Sequence, residues 1–137
     1  MVYLLDNCGE AILDRLLLER IFGLGCDLSI AARSDPVQDD ITLEEAEELN
    51  FSDLGELLPS GESIRVGPTR APRKLRKRLD MADLILSKGQ GNFEILSGHE
   101  GSFRGRLAYL LVAKCGSVSK ALEVPRESKV IRFVESG

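Results

Sequence analysis

Near the middle of the chain, an apolar run is followed by a lysine, two glycines, an amide and a carboxylate. The run is residues 84–87, and the polar segment contains Lys88, Gly89, Gly91, Asn92 and Glu94. The glycines would let the backbone approach a bound group closely or adopt positive φ, and a lysine places a point charge near an anion. The segment is therefore a candidate phosphate-binding loop. An ordinary corner between a strand and a helix, with a solvated lysine, explains it about equally well.

Two more polar segments follow predicted strands and carry oxygen ligands. Asp6 and Asn7 come after residues 2–5, and Asp39 and Asp40 come after residues 27–32 and a polar loop. Carboxylate and amide oxygens suit Mg²⁺ or Mn²⁺ better than a structural zinc, and such sites keep positions open for water and a phosphate oxygen. Considered separately, each pair has a simpler explanation. Asp6 and Asn7 would form a turn or an N-cap, and Asp39 and Asp40 would belong to a solvated loop. Their joint placement after strands favours a site.

Strands alternate with helices along most of the sequence. Helices are predicted for residues 12–24, with the leucines facing the core and Asp14 facing solvent, for residues 42–49 behind a capping box, from about residue 72, and at 118–122. Further strands are predicted at 64–66, 84–87, 107–113 and 129–134, and a further helical turn within 51–59. This alternation predicts an α/β fold, a three-layer α/β/α sandwich with a mostly parallel, Rossmann-like sheet. In such sheets ligands bind beyond the carboxyl ends of the strands, where the three polar segments would meet.

Length and composition predict one α/β domain over residues 1–137, with 43% hydrophobic and 29% charged residues. No apolar run approaches the ~20 residues of a membrane helix, and no leader pattern precedes the first strand, which predicts a cytoplasmic protein without a membrane partner. The three cysteines form no C-x-x-C pair, so neither a zinc site nor a disulfide framework is expected.

Six basic residues crowd one short stretch of a chain whose net charge is -4. The stretch runs from Arg70 to Arg78, with Leu75 and Leu79 at helical spacing. A solvated helix face is the simpler explanation. A basic patch that holds RNA or another polyanion is the alternative, although the overall charge argues against a nucleic-acid protein.

Other catalytic templates fit the sequence less well. A dinucleotide fingerprint would need a third glycine where Glu94 stands, and there is no Walker lysine pattern. The single histidine, His99, reads as a loop residue. General-base chemistry would therefore fall to a carboxylate such as Glu94 or Asp39, or to a metal.

Four segments, residues 5–10, 33–42, 82–94 and 109–115, resemble the damage-control phosphatase family, in the same order. The resemblance implies a metal-dependent phosphohydrolase, using Mn²⁺, Ni²⁺, Co²⁺ or Mg²⁺, that acts on small phosphorylated metabolites such as sugar phosphates or damaged phosphopantetheine-like compounds. It implies that Asp6, Asn7 and Asp40 hold the metal and form the catalytic set together with Lys88. The substrate-binding residues would be Arg33, Lys88, Gly89, Gly91, Asn92 and Glu94.

The resemblance covers the α/β half of family members, without the helical region that precedes their aspartate-asparagine strand. It therefore also suggests a subunit that functions with a helical partner or as a homo-oligomer. Two other functions compete with the phosphatase: a non-catalytic module that binds a polyanion through the basic helix, and a carboxyl methyltransferase, an activity described for some relatives.

Overall fold

A computed structural model of the protein describes residues 1–61 and 70–134, and its centre is one six-stranded sheet. The strands are β1 (Val2–Leu4), β2 (Ser29–Ala32), β3 (Glu56–Pro59), β4 (Leu84–Lys88), β5 (Arg106–Val112) and β6 (Lys129–Val134). The helices are α1 (Ala11–Gly23), α2 (Leu43–Glu48), α3 (Arg73–Met81), α4 (Gln90–Leu96) and α5 (Gly116–Leu122). Short 3-10 turns at Cys8–Glu10, Phe51–Asp53 and Glu100–Ser102 complete the described elements.

The strand order is β3-β2-β1-β4-β5-β6, and every neighbouring pair is parallel except β5 and β6. From β1 the chain first builds the sheet in one direction, through β2 and β3, and then returns to add β4 on the other side of β1. The carboxyl ends of β1 and β4 therefore border the position where the strand order reverses, which is where open α/β sheets form a ligand crevice. The predicted α/β fold with a mostly parallel sheet is confirmed.

Alternating residues of β1 supply two separate cores on the two faces of the sheet. Val2 and Leu4 pack in the core that α3, α4 and α5 cover. Tyr3 and the following Leu5 belong to the opposite core, under α1 and α2. Because successive side chains of a strand point to opposite faces, this division places helices on both sides and confirms the three layers. Within the described part of the chain, no helix is both long enough and apolar enough to cross a membrane.

The first helix forms as predicted but buries the opposite face. Ala11, Asp14 and Leu18 are buried, whereas the leucine-rich stripe is exposed. The side chains of that stripe are Ile12, Leu13, Leu16 and Leu17. The predicted orientation was wrong because it counted apolar residues only. The side chain of Asp14 has ionic and hydrogen-bonding partners beneath the helix, and these outweigh the apolar pattern.

The third strand was not predicted. The expected helical turn is present at Phe51–Asp53, but residues Glu56–Pro59 form β3. Gly55 allows this strand to approach its neighbour, since a Cβ there would lie 2.4 Å from the carbonyl oxygen of Leu28. A four-residue edge strand that ends in proline gives only a weak sequence signal. The strand predicted at 64–66 lies outside the described residues.

The basic stretch forms α3, which buries Leu75 and Leu79 as predicted. Part of its charge is neutralised within the protein. Lys74 and Arg78 both pair with Glu56 of β3, at 2.6 Å and 2.7 Å. The helix thus fastens one edge of the sheet with a partly exposed ionic cluster.

Candidate functional site

A cleft of about 1200 Å³ opens at the carboxyl ends of β1 and β4. The predicted site residues that line it are Asp6, Asn7, Asp40, Lys88, Gly89, Gly91 and Glu94. The fold therefore gathers both halves of the predicted site, although Lys88 proves to be the last residue of β4 rather than the first residue after it. One wall is apolar and includes Ile95, Leu110 and Val112.

Gly89 is required where the chain leaves β4. Its φ is +81°, in the region that favours glycine, and a Cβ built on it would lie 1.9 Å from Oδ2 of Asp6. No side chain fits there without displacing that carboxylate. The predicted close approach and positive φ are therefore found at Gly89, whereas Gly91 lies within α4.

Asp40 reaches the site by a route that the sequence did not reveal. It does not directly follow β2, which ends at Ala32; a polar loop intervenes and then returns. Asn7 and Asp40 form an antiparallel bridge, and the amide of Ile41 donates to the carbonyl of Asp6 at 2.8 Å. This short backbone pairing holds the predicted metal ligands side by side.

Arg33 and Asn92 lie behind the cleft rather than in it. Arg33, which is 4% exposed, donates through Nε to Oδ2 of Asp40 at 2.8 Å and through a terminal nitrogen to Oδ1 of Asn92 at 3.4 Å. The Asn92 amide donates to the carbonyls of Leu5 and Lys88, at 3.0 Å and 2.8 Å. Both are buried and tie the ends of β1 and β4 to Asp40, and neither lines this cleft. Their role as substrate contacts stays a prediction.

The carboxylate of Asp6 lacks a hydrogen-bonded partner among the described residues. It faces Gly89. Burial, together with the negative charges of Asp40 and Glu10, raises the pKa of Asp6 to about 6, against the opposing influence of Arg33 and Lys88. An ionised Asp6 is therefore short of positive charge.

Lys88, by contrast, is fully engaged. Its ammonium group lies 2.9 Å from Oε2 of Glu10 and 3.2 Å from Oδ1 of Asp14. Tyr3 donates its hydroxyl hydrogen to the same Oδ1 at 2.8 Å, from beneath α1. Burial alone would lower the pKa of Lys88, but the hydrogen bonds and charges of Glu10 and Asp14 outweigh it and raise the pKa above its ordinary value. The lysine is therefore held charged.

Sequence reasoning missed Glu10, Asp14 and Tyr3 as neighbours of the site. A signal was present: Glu10 and Asp14 are four residues apart, so both lie on the same side of one helical turn. A lysine at the end of a buried strand also needs a counter-charge nearby.

The predicted metal ligands Asp6, Asn7 and Asp40 provide carboxylate and amide oxygens, the donor type that a hard divalent cation prefers. Within residues 1–61 and 70–134 no group of three His, Cys, Asp or Glu side chains is placed to hold a metal. The amide oxygen of Asn7 accepts from the backbone N–H of Gly9 at 2.7 Å, so Asn7 forms the N-cap that the simpler interpretation predicted. The described lining of the cleft has five acidic side chains (Asp6, Glu10, Asp39, Asp40 and Glu94) and three lysines (Lys88, Lys114 and Lys129), so negative charge is in excess. Oxygen ligands with this excess charge suit Mg²⁺ or Mn²⁺.

Comparisons with known proteins define the class. A family model, the damage-control phosphatase ARMT1-like domain, matches residues 1–130, and the chain belongs to this family. A damage-control phosphatase of Archaeoglobus fulgidus is 36% identical over 137 residues, and one of Pyrococcus horikoshii is 34% identical over 132 residues. The solved structure of the Pyrococcus protein, described as a DUF89 family protein, superimposes with a TM-score of 0.83 at 30% identity and covers 94% of this chain.

The chain spans less than half the length of these relatives. The matches cover 98% and 95% of this chain, but only 46% of the Archaeoglobus protein and 45% of the Pyrococcus protein. The solved structure is likewise covered over 45% of its length. The residues that the family model matches, 1–130, include β1 to β5 and most of the residues that line the cleft.

Proposed function

We propose that the protein is a divalent-metal-dependent phosphatase that hydrolyses small phosphorylated metabolites. One observation carries the proposal. Asp6, whose carboxylate is short of positive charge, and the charged Lys88 lie at the carboxyl ends of β1 and β4, on the two sides of the switch point. Relatives named damage-control phosphatases support the reaction class. Sugar phosphates and phosphopantetheine-like compounds are the proposed substrates, since both present one phosphate on a small carrier.

In this proposal, some residues of the site bind the metal and others bind the phosphate. Asp6, Asn7 and Asp40 would hold Mn²⁺, Ni²⁺, Co²⁺ or Mg²⁺, which supplies Lewis-acid polarisation of the phosphoryl group. Lys88 offsets negative charge on the phosphate oxygens, and Gly89 lets the backbone come close to them. Arg33 fixes the orientation of Asp40 from behind. Glu94, which lines the cleft, would orient the attacking water or contact the substrate.

The rest of the cleft would hold the carrier of the phosphate. Its volume of about 1200 Å³ far exceeds what a phosphate group occupies, and the apolar wall at Ile95, Leu110 and Val112 offers contact surface next to the polar end.

Activity assays with a matched pair of variants test the proposal. The wild type should hydrolyse p-nitrophenyl phosphate or a sugar phosphate with at least one of the four metals, and EDTA should abolish the reaction. Asp6→Asn should lower kcat/KM by roughly 100-fold or more, because it removes a metal ligand. Asp35→Asn, in the exposed part of the loop after β2, is the control and should stay within about twofold. A folded wild-type protein that shows neither hydrolysis nor a thermal shift with any of the metals would refute the proposal.

A further inference from the structure

The two carboxylates that hold Lys88 differ sharply in their exposure to solvent. The Asp14 side chain is 5% exposed, and the Glu10 side chain is 46% exposed. Both lie on the first turns after β1, one helical turn apart. The same ammonium group therefore has one partner inside the protein and one partner at the cleft surface.

Lys88 cannot leave Asp14, its inner partner, without a large energetic cost. Oδ1 of Asp14 accepts from Tyr3, and Oδ2 is buried with no hydrogen-bond partner among the described residues. If Lys88 moved away, a buried carboxylate would keep a single neutral hydrogen bond, which is a far larger loss than breaking an exposed pair. The hydroxyl of Tyr3 holds Asp14 in place, and burial and the charge of Asp14 raise the pKa of Tyr3, so the tyrosine remains a donor.

The outer partner is readily replaced. Glu10 lines the cleft, and water can solvate its carboxylate when Lys88 releases it. An ammonium group has three donor hydrogens and can keep its bond to Asp14 while another bond turns to a new acceptor. A phosphate oxygen entering the cleft offers that acceptor with greater negative charge than a single carboxylate.

We propose that Tyr3 and Asp14 are positioning residues that anchor Lys88, and that Glu10 is the exchangeable partner which the phosphate group of the substrate replaces. This inference rests on the proposed function, because it assigns the substrate phosphate to Lys88. While the cleft is free of substrate, the Glu10 carboxylate is paired with Lys88. It therefore competes with the phosphate group for the lysine ammonium.

The first test removes the competitor without removing bulk. Glu10→Gln keeps the shape and loses the charge, so the KM for p-nitrophenyl phosphate should fall by roughly 3- to 10-fold while kcat changes less. The inhibition constant of inorganic phosphate should fall by a similar factor. Glu19→Gln is the matched control: it makes the same charge change on an exposed residue of α1 that pairs with Arg15, and it should alter neither value.

The second test weakens the anchor and should act in the opposite direction. Asp14→Asn should raise KM and the phosphate inhibition constant by about 10-fold, since Lys88 loses its fixed charged partner. Tyr3→Phe leaves the charge of Asp14 in place and should shift both values the same way, by about 2- to 3-fold. Because Asp14 is buried, circular dichroism should be used to check that the variants are folded. If Asp14→Asn is not folded, the inference is tested with Tyr3→Phe alone.

Calorimetric titration with inorganic phosphate separates this inference from the proposed function. If the wild type hydrolyses esters but Glu10→Gln and Glu19→Gln bind phosphate equally, the anchor inference is overturned and the phosphatase stands. If phosphate binding follows the predicted order without hydrolysis under any metal, the phosphatase falls and the anchor stands. If no variant binds phosphate, the anchor inference is overturned, and the hydrolysis assays decide the phosphatase.

Discussion

Two ionic clusters meet at the cleft, and they differ in how far the protein satisfies them. Around Lys88 every charged group has a hydrogen-bonded partner within 3.2 Å. Around Asp6 and Asp40, the one ion pair among the described residues joins Arg33 to Asp40, and no hydrogen bond from these residues reaches the carboxylate of Asp6. In the first cluster both carboxylates are paired with Lys88 before a ligand arrives. In the second cluster the Asp6 carboxylate has no such partner among the described residues, which supports the proposal that a cation binds there.

Replacing Arg33 should have the largest effect on the difference between the two ionic clusters. Arg33→Met keeps the apolar stem and leaves Asp40 and Asp6 without their nearest cation, so the free energy of unfolding should fall by about 2–4 kcal/mol in metal-free buffer. Urea unfolding measures the loss. Because the remaining repulsion is between candidate metal ligands, millimolar Mn²⁺ should restore part of the stability.

The exposed Arg104 provides the comparison for this variant. Arg104→Met should change the free energy of unfolding by less than about 0.5 kcal/mol, with or without Mn²⁺. Equal losses for the two variants would mean that Arg33 does not stabilise the carboxylate cluster.

Gly89 tests whether the position of Asp6 matters as well as its charge. Gly89→Ala adds a methyl group where the Asp6 carboxylate lies and strains a residue with φ of +81°, so we expect a loss of about 2–3 kcal/mol and a severe loss of activity. Gly98→Ala is the matched control, since φ there is +84° with no atom within 4 Å of the added carbon. It should cost about 1 kcal/mol by strain alone and leave kcat/KM intact.

Indistinguishable effects of the two alanines, in urea unfolding and in the phosphatase assay, would contradict the close contact between Gly89 and Asp6. A stable but inactive Gly89→Ala protein would sharpen the comparison, because it would separate the position of Asp6 from folding.

The smallest effect should come from the ionic cluster outside the cleft. Hydrogen bonds from Lys74 and then Arg78 lower the pKa of Glu56, so its pairing stabilises the fold above the ordinary glutamate pKa and is lost as the pH falls through the lowered value. Glu56→Gln should reduce the free energy of unfolding at pH 7 by at most about 1 kcal/mol.

Urea titrations at several pH values from about 3 to 7 test the sign of this effect. The difference between wild type and Glu56→Gln should shrink as the pH falls below the ordinary glutamate pKa. It should disappear below the lowered pKa of the folded state, where the carboxylate is protonated in both the folded and unfolded states. A difference that grows as the pH falls would contradict the assignment. Glu48→Gln, on the exposed side of α2, serves as the control.

Residues that carry a local signal were predicted well from the sequence. Lys88 and Gly89 stand at the end of an apolar run, and the capping box from Thr42 to Glu45 is formed as expected. Strand periodicity and alternation with helices were enough to predict the layers and the carboxyl rim. The placement of Asp6, Asn7 and Asp40 in one cleft follows from that rim.

The features that could not be predicted from the sequence depend on contacts between residues that are distant along the chain. The inward orientation of Asp14 is decided by Tyr3 and Lys88, which belong to two other elements. The burial of Arg33 and Asn92 depends on the loop that returns to Asn7, and a polar loop has no periodicity from which its path could be predicted. The short strand β3 is specified by the space that Gly55 leaves beside Leu28 rather than by its own residues.

The pairing of β1 with β4 also sets the order in which the site can assemble. In this pairing Leu4 lies beside Ser87, so the two halves of the cleft are joined across a chain separation of about eighty residues. Closing so long a loop is slow compared with forming the first strand-helix-strand unit. An early folding intermediate made of β1, α1 and β2 would hold Asp6 and Glu10 but not Lys88. Phosphate binding should therefore appear only when the sheet is complete, and its recovery after dilution from urea would time the final step of folding.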